Sequence, residues 1–215
     1  MIELHHTPST AAMAPHILLV ETGVPFVLRP VDTTRQEQRS PAHLKLNPNG
    51  RVPVLVDGGL VLYESAAICL HLADMHPAAG LAPPLATPER AQFYKWLMWL
   101  TNTLQATLMA YFYPERWVAP GNAAGAEEVK QRAEANVGPL LELLEAELAG
   151  HGGPWLLGAD HSAVDAYALM LCRWTRHFAR PARALPHLGP YLQRMLARPA
   201  VQQVFEREGL AQPWV

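Results

Sequence analysis

The clearest periodicity in the chain lies between Thr87 and about Tyr113. There Leu97, Leu100, Leu104, Leu108 and Tyr111 fall within a narrow arc at about 3.6 residues per turn, the buried stripe of a long helix. The opposite arc carries Trp99, Asn102, Thr103, Ala106, Ala110 and Tyr113. It is neither charged nor fully apolar, which suits a core or subunit contact as well as the wall of a cleft. A second amphipathic helix is expected over Glu127 to Leu148, ending at the Gly150 to Gly153 break. The first third of the chain reads differently. Strand-like Ile2 to His6 leads through a Thr7 to Ala12 loop into a helix of about ten residues that stops at Thr22-Gly23, where glycine supplies a left-handed cap. Pro25 to Leu28 reads as a second strand, Asp32 to Ser40 as a polar loop and Pro41 to Leu46 as a short helix. Val54 to Asp57 and Leu60 to Leu62, joined by Gly58-Gly59, form a hairpin, and a helix from Glu64 to about Met75 follows. Strands alternating with helices imply a partly parallel sheet covered by helices.

The Pro-, Ala- and Gly-rich run His76 to Pro84 breaks all periodicity and marks a junction between two units. Later, Ser162-Ala163-Val164-Asp165 fits a helix-start box in which a hydroxyl and a carboxylate satisfy free N–H donors. His161 stands where an apolar residue would complete a hydrophobic staple.

Composition removes several function classes. Half of the 215 residues are apolar and 17% are charged, so a folded chain with a substantial core is expected. The formal charge of −2 gives no electrostatic case for nucleic acid or an anionic membrane. No apolar run reaches the roughly 18 residues of a bilayer crossing, and the N-terminus lacks a basic stretch before an apolar one; a cytoplasmic protein is expected. Cys69 and Cys172 both sit in apolar helical patterns, where a thiol acts as a small hydrophobe, and they make no C-x-x-C pair. Ten histidines show no strong metal spacing. His5 and His6 are neighbours on a strand and point to opposite faces, so no required metal is expected.

The most informative segment is Asn47-Pro48-Asn49-Gly50-Arg51-Val52-Pro53-Val54-Leu55-Val56-Asp57, followed by Glu64-Ser65 at a helix start. A cis Val52-Pro53 bond would turn the Val52 N–H and C=O outward to pair with a short extended ligand. The helix start at Glu64-Ser65 offers free N–H groups, a hydroxyl and a carboxylate, a set that grips a zwitterion. With Arg51 at the other end, a short peptide acidic at both ends would be held straight.

These residues resemble the glutathione-binding half of the glutathione transferase family. The Ile2 to His6 start, the Thr7-Pro8-Ser9-Thr10 loop and the Ser162 box extend the resemblance over nearly the whole chain, and Pro15-His16 is similar to the Pro-His pair of the bacterial, beta-like subgroup. The resemblance implies a thioredoxin-like α/β domain over residues 1–78, a linker over 79–86 and an all-α domain over 87–215. It further implies glutathione as co-substrate, no cofactor, a small hydrophobic electrophile bound between the domains, and a two-fold homodimer.

Only the thiolate is a good nucleophile, and a free thiol near pKa ~8.5 is mostly protonated at neutral pH. In such a transferase a hydroxyl and a backbone N–H at the mouth of the first helix favour the anion. Here Ser9 and Thr10 are the available hydroxyls, with Ser9 ahead, and the Ala11 N–H is a further donor; both hydroxyls also suit plain helix capping. Ala11 occupies the position of the subgroup's cysteine, and Gln105-Ala106 that of its His-Lys pair. Arg51, Val52, Pro53, Glu64 and Ser65 are then the expected glutathione contacts. Trp99, Asn102, Gln105 and Tyr113, with Trp117, are the expected electrophile wall. A non-catalytic binding module, or a glutathione-dependent disulfide reductase or isomerase, uses the same site.

Overall fold

A computed structural model describes all 215 residues. In chain order the first unit comprises β1 (Ile2–His6), α1 (Met13–Thr22), β2 (Phe26–Pro30), α2 (Pro41–Leu46), β3 (Val54–Asp57), β4 (Leu60–Tyr63) and α3 (Ser65–Met75). The second is helical: α4 (Pro88–Trp99), α5 (Ala106–Phe112), α6 (Ala123–His151), α7 (Ala163–Trp174), α8 (Leu188–Leu196) and α9 (Pro199–Arg207). This is the expected thioredoxin-like α/β unit followed by an all-helical one.

The four strands are ordered β2-β1-β3-β4. β1 pairs parallel to β2, with Leu4 opposite Leu28, and antiparallel to β3, with Leu4 opposite Leu55. The crossover from β1 to β2 is α1, which ends on Gly23 at φ 69°, a conformation glycine adopts without a Cβ penalty. The β3–β4 hairpin turns through Gly58 at φ 57°. Local chemistry starts the helices: Pro41 follows a Ser40 oxygen that accepts the His43 N–H, and Pro88 follows a Thr87 hydroxyl that accepts the Arg90 N–H.

The two units share one core. Every residue of α7 is buried, and α7 packs against α1 and α3 of the first unit as well as α4 and α8 of its own. The Ala163 N–H donates to the Leu81 carbonyl at 2.8 Å, so the Pro-rich junction is itself fastened to the start of α7. Leu97, Leu100, Leu104 and Leu108 are fully buried, as their spacing predicts. The helix carrying them is not uniform, however. Leu100–Gln105 is a π segment between α4 and α5, with Thr101 and Thr107 hydroxyls donating back to the Leu97 and Thr103 carbonyls.

At the start of α7 the capping box is complete. Asp165 accepts from the Ser162 N–H (2.8 Å) and hydroxyl (3.2 Å), the Leu156 N–H (2.9 Å) and the Tyr191 hydroxyl (2.9 Å). His161 beside it packs edge-on to Trp155 at 5.0 Å, and its Nε2 is buried without a partner. Burial, followed by the nearby Arg198 charge and opposed by Glu21, pushes the His161 pKa down to about 4. Because this folded-state value lies below the unfolded one near ~6.5, protonation favours the unfolded chain; the penalty is absent above ~6.5 and complete below ~4. His161→Leu removes that term. The stability gap between His161→Leu and the parent chain should therefore widen in favour of leucine by on the order of 3 kcal/mol as pH falls from ~7 to ~4, measured by urea denaturation at each pH.

Candidate active site

The loop between β1 and α1 is held by its own side chains. The Thr7 hydroxyl donates to the Val31 carbonyl at 2.7 Å, and the Thr10 hydroxyl donates to the Thr7 carbonyl at 2.6 Å while accepting the Ala12 N–H at 3.3 Å. Thr10 is thus spent on structure. Ser9 stands at φ 60°, a left-handed conformation uncommon for a residue with a side chain. Its N–H is bound to the Glu208 carboxylate at 2.8 Å, but its hydroxyl makes no hydrogen bond within the protein, and neither does the Ala11 N–H. Ser9 and Ala11 are half-buried and line the same cavity.

Across that cavity lies the turn before β3. Asn47 uses its side-chain oxygen to accept the Asn49 N–H (3.0 Å) and its amide nitrogen to donate to the Arg51 carbonyl (3.0 Å), which also meets His43 Nε2 at 2.9 Å. Both His43 and Asn47 are buried. They fix the backbone just ahead of Val52-Pro53, which is cis. Val52 takes no part in backbone hydrogen bonding, so its N–H and C=O are free to meet an extended ligand. The sequence pointed to the Asn47 to Asp57 segment but not to the supporting roles of Asn47 and His43, the latter marked only by a histidine in a short helix.

The cavity, about 480 Å³, brings Ser9, Thr10, Ala11, Arg51, Val52 and Tyr113 together. Other expected residues fall outside its lining. Pro53 is buried behind it, Ser65 is buried at the start of α3 and Glu64 beside it is exposed at φ 74°. Gln105 accepts the Tyr167 hydroxyl, which turns it toward the interior, and Asn102 and Trp117 are exposed. Trp99 packs on Trp96 at 5.2 Å and opens onto a separate hollow of about 500 Å³ between α4 and α6. Trp99 and Tyr113 share an arc at about 3.6 residues per turn, but they lie roughly four turns apart on either side of the π segment and open onto different hollows. The helical wall is instead Met109, Phe112, Tyr113 and Trp174, with Arg116 and Arg176. Trp174 and Arg176 follow no surface periodicity because α7 is buried all round and ends there.

Comparison with known proteins identifies the family. Sequence models of the glutathione S-transferase N-terminal and C-terminal domains match residues 1–74 and 100–199. The chain is 32% identical over 213 residues, 97% of its length and 100% of the relative's, to the glutathione S-transferase GST-4.5 of Xanthomonas campestris pv. campestris. It is 29% identical to the glutathione S-transferase GstA of Escherichia coli O157:H7, over 97% of this chain and 100% of that one. A glutathione transferase homologue from Sulfitobacter, solved with bound glutathione, superposes with a TM-score of 0.88 at 28% identity, covering 98% of this chain and 99% of that one. The chain belongs to the glutathione S-transferase family.

In this transferase the site is tied to the far end of the chain. Glu208, just past α9, has a fully buried side chain; one oxygen accepts the Ser9 N–H and the other meets His16 Nδ1 of α1 at 2.8 Å. With the carboxylate accepting, His16 Nδ1 carries the proton. His6 lies edge-on to His16 at 5.8 Å, and burial lowers its pKa. The nitrogen and oxygen ligand atoms of His6, His16 and Glu208 all lie within 4.8 Å of one another, and Glu208, bonded to both Ser9 and His16, ties the Ser9 loop to α1. A second tie supports it: Arg198 forms a two-pronged pair with Glu21 of α1, at 2.7 and 2.9 Å. Neither cysteine contributes a nucleophile. Burial raises both thiols, Cys172 to about 12. No helix is long and apolar enough to cross a membrane.

Proposed function

We propose that this transferase ionises the glutathione thiol at the mouth of α1 and adds the thiolate to a small apolar electrophile held against Phe112, Tyr113 and Trp174. The observation that carries the reading is the pairing of two unengaged donors, the Ser9 hydroxyl and the Ala11 N–H, in one cavity with the free Val52 backbone and Arg51. An extended glutathione pairs its backbone with Val52 and directs a carboxylate to Arg51. Its sulfur then lies by Ser9, where donors aimed at the anion lower the cost of losing the proton. With an aryl chloride the sulfur forms a bond to the ring carbon, chloride leaves with the electron pair of the broken bond, and the thiol proton passes to solvent. Glu64 and Ser65, at the start of α3, are proposed to meet the other end of the tripeptide.

The molecule is proposed to act as a cytoplasmic homodimer. Exposed apolar side chains on both units support the pairing: Leu60, Val61 and Met75 on β4 and α3, Tyr94 and Met98 on α4. The two buried free thiols accord with a reducing compartment. Sedimentation at micromolar concentration should give twice the chain mass of 23.7 kDa, and a monomer mass would reject the dimer.

For the chemistry, Ser9→Ala should lower kcat/KM for chlorodinitrobenzene by about 10- to 100-fold, with most of the loss in kcat, because one of two donors to the anion is removed. Thr10→Ala should lose less activity and more stability, since its hydroxyl caps the loop. Equal rates in Ser9→Ala and the parent enzyme would take the hydroxyl out of the mechanism.

A further inference from the structure

The lining of the active cavity includes four arginines, Arg39, Arg51, Arg116 and Arg176, and no aspartate or glutamate. Two of them belong to the glutathione side. Arg51 precedes Val52, and the Arg39 side chain lies over Gly50, where its Cδ stands 2.9 Å from the position a Cβ would take. On the functional reading given above, one carboxylate of glutathione meets Arg51, and Arg39 stands beside it.

Arg116 and Arg176 stand on the other wall, among the aromatic residues that face the electrophile. The Arg116 guanidinium lies 3.9 Å from the centroid of the Tyr113 ring, which holds it over the cavity; its nearest carboxylate, Glu115, is 3.9 Å away and well exposed, a weak pairing. Arg176 is half-buried and makes no ion pair. One of its nitrogens donates to the Arg173 carbonyl at 3.1 Å, which fixes the side chain and leaves other donors of the guanidinium fork unengaged. Its surroundings are cationic: Arg173 lies beside it, and burial lowers the Arg176 pKa. A desolvated cation without a counter-charge is costly, and an anionic ligand relieves that cost.

We propose that the electrophile subsite, on the functional reading given above, selects aromatic electrophiles bearing a negative charge, a carboxylate or sulfonate, with Arg176 as the principal contact and Arg116 as the second. The ring packs against Phe112, Tyr113 and Trp174, and the anionic substituent meets the two guanidinium groups. A neutral nitroaromatic occupies the same apolar wall but leaves the cations unpaired.

The test compares a chlorodinitrobenzoate, with its carboxylate opposite the chloride, against the corresponding primary amide, which has the same shape and no charge. For each, kcat/KM with glutathione is divided by the uncatalysed rate constant at the same pH. The acid should be preferred by about tenfold or more in the parent enzyme, the size expected of a charge-assisted pair. Arg176→Gln should cut that preference at least fivefold and Arg176→Lys should keep part of it. Arg116→Gln should have a smaller effect. Raising salt should lower the preference in the parent enzyme, a readout that needs no variant. Turnover of the amide without preference for the acid would overturn the inference and leave the transferase reading standing. Equal losses on both substrates in Arg176→Gln would assign the arginine to charge developing on the ring, and would also overturn it. Failure to turn over either compound would sink the functional reading and this inference with it.

Discussion

The active loop depends on one buried carboxylate. Glu208 arrives from the last helix of the chain and accepts the N–H of Ser9, which lies 199 positions earlier, while its second oxygen holds the His16 ring of α1. A charged side chain with no exposed surface is tolerable only when hydrogen-bonded, and both oxygens here are. The Ser9 N–H is consumed by this bond, Thr10 is consumed by capping, and what remains facing the cavity is the Ser9 hydroxyl and the Ala11 N–H. The left-handed backbone at Ser9 is the local cost of that presentation, and the packing of α9 against α1 sustains it. The site is therefore a product of the joint between the two units, because neither half of the chain supplies the loop and its anchor together.

Much of the fold could be read from residue spacing because the relevant forces are local. Gly23 and Gly58 sit at positive φ where a helix ends and a hairpin turns, and Ser40, Thr87 and Ser162 cap helices. The leucines from Leu97 to Leu108 are buried as their period requires. What escaped was non-local or broke the period. The π segment at Leu100–Gln105 has no compositional signature, and Trp99, on its N-terminal side, opens onto a different hollow from the one Tyr113 faces. Gln105 was drawn inward by the Tyr167 hydroxyl, a partner 62 residues distant. Glu208, Trp174 and Arg176 carry no motif; they matter because of where the tertiary fold puts them.

The two walls of the cleft divide the work by chemistry. The sheet side offers main-chain groups, held in register by His43 and Asn47, which suit a ligand with a regular peptide backbone. The helical side offers the aromatic surface of Phe112, Tyr113 and Trp174 and the cations Arg116 and Arg176. On the proposed reading, a sulfur beside Ser9 meets the N-terminal dipole of α1 and the arginines of the cavity, both of which favour the anion over the thiol. On that reading Ala11 supplies a backbone N–H and no thiol, so polarity and position activate the glutathione sulfur.

Titration of the thiol in the enzyme–glutathione complex, followed by thiolate ultraviolet absorbance with the free enzyme subtracted, probes this most directly. Donation from Ser9 and Ala11 predicts an apparent pKa at least about one unit below the ordinary thiol value near ~8.5, and a return toward that value when the Ser9 hydroxyl is removed. A bound thiol that titrates at the ordinary value, with or without the hydroxyl, would contradict it.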